Sequence, residues 1–570
     1  MIRYFQWLTN NILRSCCVSC RGQRSEVRRP PSMATRSVHH CSSLLSHMSN
    51  PVPLLLLYLL LFLFRSPFPV SADSPTYLLP LPWQFTSGEG TLSVDPALSL
   101  SVSGKGGSSG IVKEGFDRYK AIIFKNSDVF SIFSAFRKKR AVYDVVKLNV
   151  IVHSASEDLQ LGIDESYSLV VGRSHNQSII GEATIEATTV FGALRGLETF
   201  SQLCTFDYGS KTVLIHNTPW IIHDRPRFKY RGLLLDTSRH YFPVDVIKHI
   251  LESMSFAKLT NKHFLLRCLH ILSYGMVHTQ SGSAIQLRMP MKLSRINVMA
   301  EVDVPGHAES WGKGYPDLWP SSSCREPLDI TKNFTFELIS GILSDMRKIF
   351  PFELFHLGGD EVNTNCWTST PHVKHWLQQH NMTAKQAYKY FVLKAQNIAI
   401  SKDWTPVNWE ETFNTFPGSL NRRTVVHNWL GPGVCPKAVA RGFRCIFSNQ
   451  GVWYLDHLDV TWDQVYTAEP LEGISDPSEQ ELVLGGEVCM WGETIDTSNV
   501  QQTIWPRAAA AAERLWSRKD ATSTGSLNTT ALPRLQYFRC LLNRRGVQAA
   551  PVTNFYARTQ PLGPGSCYDQ

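Results

Sequence analysis

Acidic residues are nearly missing from two stretches of this chain, and the two absences mean different things. Residues 1–72 hold one glutamate, Glu26, against eight arginines, a net of +7. The whole 570-residue chain carries +9, so only +2 is left after residue 72. The basic balance is a property of the leader and does not indicate a nucleic-acid partner. Between Leu259 and Arg295 there is no Asp or Glu at all, although Lys262, Arg267, Arg288 and Lys292 are present. Such a stretch does not read like the surface of a natural globular protein. Charged residues are 18% and hydrophobic ones 43%, which excludes a disordered chain. Also lacking are an internal repeat, a nucleotide-binding loop and a metal-ligand cluster, so no cofactor and no metal site are expected.

Long apolar runs are equally scarce. The run Pro53 to Phe64, followed by Arg65 and the small-residue site Val70-Ser71-Ala72, is too short for a comfortable membrane span and reads as a signal-peptide core with its cleavage site. A signal anchor is the alternative, because Arg65 interrupts the run-in to cleavage. Met48 would be a natural start, and residues 1–47 then read as an upstream extension. Four N-x-S/T sites, at Asn176, Asn333, Asn381 and Asn528, suit a glycosylated lumenal protein. Of 13 cysteines, four lie in the leader and Cys268 in the acid-free stretch, leaving an even eight, which permits disulfides. The short loop between Cys435 and Cys445 makes that pair plausible, and Cys204 and Cys489 read as buried thiols.

The length predicts two domains after the leader, over 73–224 and 225–570. The first alternates strand-like runs, Val146–His153 and Tyr167–Val171, with one helix-like segment from Val190, which predicts a small α+β domain with no catalytic cluster. Arg225-Pro226-Arg227-Phe228 marks the boundary. Beyond it, Tyr230–Leu235 is an apolar strand that runs straight into the polar cluster Asp236–His240. Further strands are expected at 296–302, 352–357, 406–409, 424–429, 445–448 and 483–490, alternating with helices at 244–256, 384–400 and 501–516. That alternation predicts an α/β fold, a (β/α)8 barrel of the TIM type.

The barrel is organised around Phe355-His356-Leu357-Gly358-Gly359-Asp360-Glu361, a buried strand that ends in two glycines and two carboxylates. The glycines let the backbone pass close to a ligand at the strand's carboxyl end, where barrel enzymes keep their chemistry. A polar pair at the end of a buried strand is costly unless it is used. The stretch resembles the H-x-G-G-D-E signature of the β-N-acetylhexosaminidases, glycoside hydrolase family 20, most closely the plant members, and the similarity extends from about Pro75 to the C-terminus.

The resemblance implies residue roles. Glu361 would be the acid/base, and Asp360 would hold the substrate's acetamide N–H, the carbonyl oxygen of that acetamide being the nucleophile. Tyr454 would donate to the same oxygen. His307, in Glu301-Val302-Asp303-Val304-Pro305-Gly306-His307, would relay to Glu361 while being oriented by an Asp. Trp409, Trp429 and Trp491, each after an expected strand, would wall the sugar and its methyl group. Arg239 would bind the outer hydroxyls, with Asp456 and Glu493 at the far edge. Cys324–Cys366 and Cys540–Cys567 would be disulfides.

In place of the family's N-V-L-H-W-H-x-x-D strand, the chain reads Thr260-Asn261-Lys262-His263-Phe264-Leu265 and onward. Codons compatible with Leu259–Ser294, read from one base earlier, permit D-E-Q-(A or T)-F-P-L-E-M-P, the family's segment out of frame. The expectation is therefore a barrel defective around 260–294, without its second strand and without the Asp that orients His307, and little or no activity. The resemblance implies exo-acting removal of terminal N-acetylglucosamine or N-acetylgalactosamine from N-glycans or chito-oligosaccharides. An inactive variant or carbohydrate-binding pseudoenzyme is the competing class. The expected partner is a glycan, with no nucleic acid and no stable membrane anchor, and a homodimer is among the assemblies allowed. The expected address is the secretory pathway, vacuolar or extracellular.

Overall fold

The computed structural model describes residues 77–134, 142–172, 181–265 and 296–553. The leader with its apolar run, Asn176, Cys268 and Cys567 lie outside the described residues, as does everything between 266 and 295. No helix among the described residues is long and apolar enough to cross a membrane.

The first domain is an eight-stranded sheet in the order β1-β8-β4-β5-β3-β2-β7-β6. Its strands are β1 (Gln84–Thr86), β2 (Gly90–Ser103), β3 (Val145–Val152), β4 (Tyr167–Val171), β5 (Glu182–Ala187), β6 (Cys204–Asp207), β7 (Thr212–Thr218) and β8 (Trp220–Asp224). The alternating burial of β3 and β4 gives the sheet one apolar face. Helix α2 (Val190–Leu203) packs with it, buried along its whole length and capped by Thr189, whose side chain accepts from the Gly192 N–H. The sequence reading missed α1 (Gly110–Ser134), which contacts α2. Its buried residues Val112, Phe116 and Tyr119 recur at helical spacing, but Gly110 and Gly115 weaken the local helix signal.

The second domain is a closed barrel of eight parallel strands: β9 (Tyr230–Asp236), β10 (Asn261–Leu265), β11 (Asn297–Glu301), β12 (Leu354–His356), β13 (Thr405–Trp409), β14 (Val425–His427), β15 (Arg444–Phe447) and β16 (Val483–Met490). The expectation that the second strand is missing is corrected. β10 pairs Asn261 to Leu265 with Gly232 to Asp236 of β9 and with Asn297 to Glu301 of β11. Ladder bonds need only an extended backbone, which residues 261–265 supply. Outside the barrel run α3 (Val244–Phe256), α4 (Asn333–Ile349) and α5 (Ala384–Ile400). The expected helix over 501–516 is two, α6 (Val500–Ile504) and α7 (Arg507–Trp516), because Pro506 has no N–H to continue the ladder.

The barrel interior is layered. Tyr230, Met299, Leu354, Val407, Val425 and Ile446 form an apolar layer at the amino end. Leu234, Trp409, Tyr454 and Cys489 form a second toward the site. The buried polar side chains of His263, Glu301, His356, His427 and Glu487 also belong to this interior.

Buried ion pairs join the domains. Arg231 of β9 donates to both oxygens of Glu165 at 2.7 and 2.8 Å, and Arg195 donates to the same carboxylate at 2.8 Å. Burial raises the Glu165 pKa, but the two guanidiniums outweigh it and hold the carboxyl low. Lys258 Nζ reaches Asp224 at 2.8 Å, and Asp224 also accepts from the Trp516 indole at 2.9 Å. Two disulfides are described, Cys324–Cys366 as the resemblance implied and Cys435–Cys445 as the short loop suggested. Cys540 is disulfide-bonded as well. Cys489 is a buried thiol, whereas Cys204 is half-buried. The sequons at Asn333, Asn381 and Asn528 all present an exposed Asn.

Candidate active site

The loop after β12 is fixed from three sides. Gly359 N donates to Asp303 Oδ1 at 2.8 Å, Tyr388 OH of α5 donates to Gly359 O at 2.5 Å, and Asn408 Nδ2 of β13 donates to Gly358 O at 3.0 Å. Gly358 has φ +60°, and a Cβ there would lie 1.8 Å from Asp303 Oδ1, so both conformation and space require glycine. Glu361 is held at φ +51°, a conformation a side chain adopts only under constraint, and its carboxyl opens into the cleft.

Asp360 and Glu361 are sequence neighbours with opposite environments. The Asp360 side chain is 12% exposed and that of Glu361 58%. Burial, then the charge of Asp303, push the Asp360 carboxyl well above the ordinary range. Its Oδ1 has no hydrogen-bond partner among the described residues, which leaves an acceptor in the cleft for a ligand N–H.

His307 stands beside both. Its Nδ1 lies 2.6 Å from Asp303 Oδ2, and its Nε2 lies 3.4 Å from Glu361 Oε2. The hydrogen bond and charge of Asp303 push His307 up to about 10, so the ring is an imidazolium at neutral pH. Asp303, four residues earlier on the same loop, orients the His307 ring, and the position of the Asp expected after β10 lies outside the described residues.

The walls follow the expected positions with one exception. Tyr454 stacks on Trp429 at 6.2 Å and 12°, and lies 5.9 Å from Trp491. Burial holds the Tyr454 hydroxyl far above its usual pKa, so it stays a neutral donor. Trp409 does not line the cleft. It is 1% exposed, packs 5.9 Å from Trp491, and donates its indole N–H to Glu301 at 3.0 Å. At the far end, Arg239 donates to Asp236 at 2.8 Å and pairs with Glu493 at 3.2 Å, its guanidinium 5.1 Å over Trp491. Asp456 lines the same end, with Oδ1 unpartnered among the described residues.

Sequence reasoning missed four carboxylates. Besides Asp303, Asp236 anchors Arg239, and Glu410 accepts from the Trp429 backbone N–H at 2.8 Å. Glu411 accepts from the Trp429 indole at 2.9 and 3.1 Å, and burial raises its pKa to about 7. The signal was position: all four stand at a strand's carboxyl end or just beyond it. Asp303, His307 and Asp360 lie close enough to hold an ion, as do His263, Glu301 and His356. A hydrogen bond between His307 and Asp303, and the ion-pair contacts of His263 and His356 with Glu301 at 3.1 and 2.8 Å, account for these groupings.

The profile of Glycosyl hydrolase family 20, catalytic domain, matches residues 228–267 and 291–519. That of the beta-acetyl hexosaminidase like domain matches 78–203. The expected break in similarity at Leu259 is thereby moved: the match runs on to residue 267 and resumes at 291. The chain is similar to Beta-hexosaminidase 1 of Arabidopsis thaliana, 62% identical over 92% of this chain and 100% of that one. It is 49% identical to Beta-hexosaminidase 3 of the same plant, over 86% of this chain and 94% of that one. Among solved structures, Flavobacterium johnsoniae chitobiase superposes with a TM-score of 0.70 at 26% identity, covering 82% of this chain and 73% of that chain.

Proposed function

The chain belongs to glycosyl hydrolase family 20, and from that premise we propose that it is an exo-acting β-N-acetylhexosaminidase using its substrate's own acetamide as nucleophile. The observation that carries this reading is the unpartnered Oδ1 of Asp360 beside the exposed carboxyl of Glu361. A 2-acetamido sugar placed between Trp429, Trp491 and Tyr454 would give its N–H to Asp360 and receive the Tyr454 hydroxyl on its carbonyl oxygen. That oxygen attacks the anomeric carbon, Glu361 protonates the departing oxygen, and an oxazolinium ion forms. Glu361 then deprotonates the water that opens it, so the anomeric configuration is retained. His307, cationic between Asp303 and Glu361, stabilises the Glu361 carboxylate left after the first proton transfer.

The far end of the cleft, lined by Arg239, Asp456 and Glu493, favours a terminal residue over an internal one. Non-reducing N-acetylglucosamine or N-acetylgalactosamine of N-glycans or chito-oligosaccharides is the substrate class this reading assigns. The test is inhibition of aryl N-acetylglucosaminide hydrolysis by a thiazoline analogue of the oxazolinium ion. Potent competitive inhibition supports it, and turnover insensitive to the thiazoline refutes it.

A second reading, a binding protein with impaired hydrolysis, draws on the interruption of the family match between residues 267 and 291. Retained N-acetylglucosamine binding without turnover would select it. Delivery to the secretory pathway, with vacuolar or extracellular residence, accords with the leader and the three exposed sequons. Carbohydrate attached to Asn333, Asn381 or Asn528 would support that route.

A further inference from the structure

The strand just before the break in the family match contributes one side chain to the middle of the barrel. On β10, Lys262 and Phe264 are paired in register with Leu233 and Leu235 of β9, which belong to the outer core, whereas His263 is paired with the inward-facing Leu234. The His263 ring has no solvent exposure and stands between two carboxylates that are equally buried. Its Nδ1 is 2.8 Å from Glu487 Oε1 on β16, and its Nε2 is 3.1 Å from Glu301 Oε2 on β11.

A neutral imidazole has one donor and one acceptor nitrogen, so it would set a lone pair against one of these oxygens. Only the imidazolium presents an N–H toward each of them. Removing a charged partner from such a bridge leaves buried like charges, which is far more costly than the bridge itself is favourable.

Beyond the bridge the contacts lead to the site. Glu301 Oε1 accepts from the Trp409 indole N–H at 3.0 Å and lies 2.8 Å from His356 Nδ1. Trp409 packs on Trp491, a wall of the cleft, while His356 is the last residue of β12, two before the loop that carries Asp360 and Glu361. Glu487 Oε2 accepts from Tyr230 OH at 2.5 Å, and Gly232 makes room for it, since a Cβ there would lie 2.4 Å from that oxygen.

We propose that His263 is a positioning residue: an imidazolium that donates from Nδ1 to Glu487, pairs in charge with Glu301 through Nε2 and, through Glu301, fixes Trp409 and the base of the catalytic loop. β10 is thus wired into the pocket floor. This deepens the hexosaminidase reading and rests on it for its effect on ligand binding, but its effect on Trp409 does not depend on any ligand. Among the described residues, the charged and titratable groups around the bridge are Tyr230 on β9, Lys262 on β10, Glu301 on β11, His356 on β12, His427 on β14, and Glu487 and Cys489 on β16. Burial opposes the charge on His263, but Glu487 and Glu301 outweigh it and raise the ring to about 9.

The test compares the full chain with H263Q and with H263Q/E487Q, the second removing one of the two acids so that the buried charge balances again. The first readout is the indole N–H signal of Trp409 in protein labelled at tryptophan nitrogen, assigned by its loss in W409F. It should exchange slowly in the parent, shift and lose protection in H263Q, and largely return in the double variant. The second is affinity for the thiazoline, expected to fall by about tenfold to 100-fold in H263Q with kcat less affected than KM, and to recover in the double variant. An unchanged Trp409 signal in H263Q overturns the proposal. If H263Q does not fold, failure of H263Q/E487Q to restore a folded chain with the parental Trp409 signal overturns it equally. A parent that binds no thiazoline while the Trp409 shift is seen contradicts the hexosaminidase reading and leaves the positioning role standing.

Discussion

β10 and β12 flank β11 on its two sides, and they differ in what their side chains are asked to do. β12 is three residues long, yet the loop it delivers is clamped by Asp303, Tyr388 and Asn408 and ends in the two carboxylates of the site. β10 is five residues long and pairs along its whole length with both neighbours. It nevertheless buries Lys262, paired in register with Leu233 and Val298, with no hydrogen-bond partner for Nζ among the described residues. The contrast shows that strand pairing constrains backbone far more than sequence. Residues 261–265 close the barrel, and the penalty of burying Lys262 falls on side-chain solvation.

The largest effect expected from breaking the comparison is at the end of β12. E361Q should lower kcat by about 10²–10⁴-fold while thiazoline binding persists, as read by steady-state kinetics and calorimetry. D360N should cost about 10²–10³-fold in kcat and weaken the thiazoline more than the product sugar, because the acetamide N–H loses its carboxyl acceptor.

Next is the loop backbone. G358A, at φ +60° and against Asp303, should destabilise the fold by about 2–3 kcal/mol in denaturant titrations, whereas an alanine at the open Gly341 should not.

On β10 the sign reverses. K262L should stabilise by about 1–3 kcal/mol, since it removes an unpartnered buried polar group. Burial sets the Lys262 pKa well below 10.5, so the unfolded chain binds the extra proton. Stability should therefore rise with pH through the window from the folded pKa up to 10.5, and K262L should flatten that slope.

The smallest effect concerns Glu411, whose folded pKa of about 7 lies above the 4.5 of an ordinary glutamate. The folded chain binds more protons between those values. The group's contribution is therefore complete below pH 4.5 and lost as pH rises through 7. E411Q should remove that component from denaturation midpoints measured between pH 4.5 and 8.

Much of the barrel was legible because its strands are apolar runs that end abruptly in polar residues, the pattern of Tyr230–Asp236 and of Val483–Met490. The same regularity exposed the site, whose residues stand at those ends. β10 was illegible because Lys262 breaks the apolar run, and only pairing on both sides makes the segment a strand. The role of Asp303 was hidden because its partner depends on how the His307 loop folds back, which spacing does not encode. Trp409 was placed in the cleft because a tryptophan at a strand end gives no sign of whether it lines a ligand or props up the residue that does. Its bond to Glu301 decides that.

The most direct test of the central claim uses aryl β-glycosides of glucosamine carrying acetyl, monofluoroacetyl and trifluoroacetyl groups, turned over by the purified full chain. If the acetamide oxygen is the nucleophile and the pocket works, kcat/KM falls steeply with each fluorine that weakens that oxygen. Equal rates across the series, or no turnover of the acetyl compound, would contradict the account.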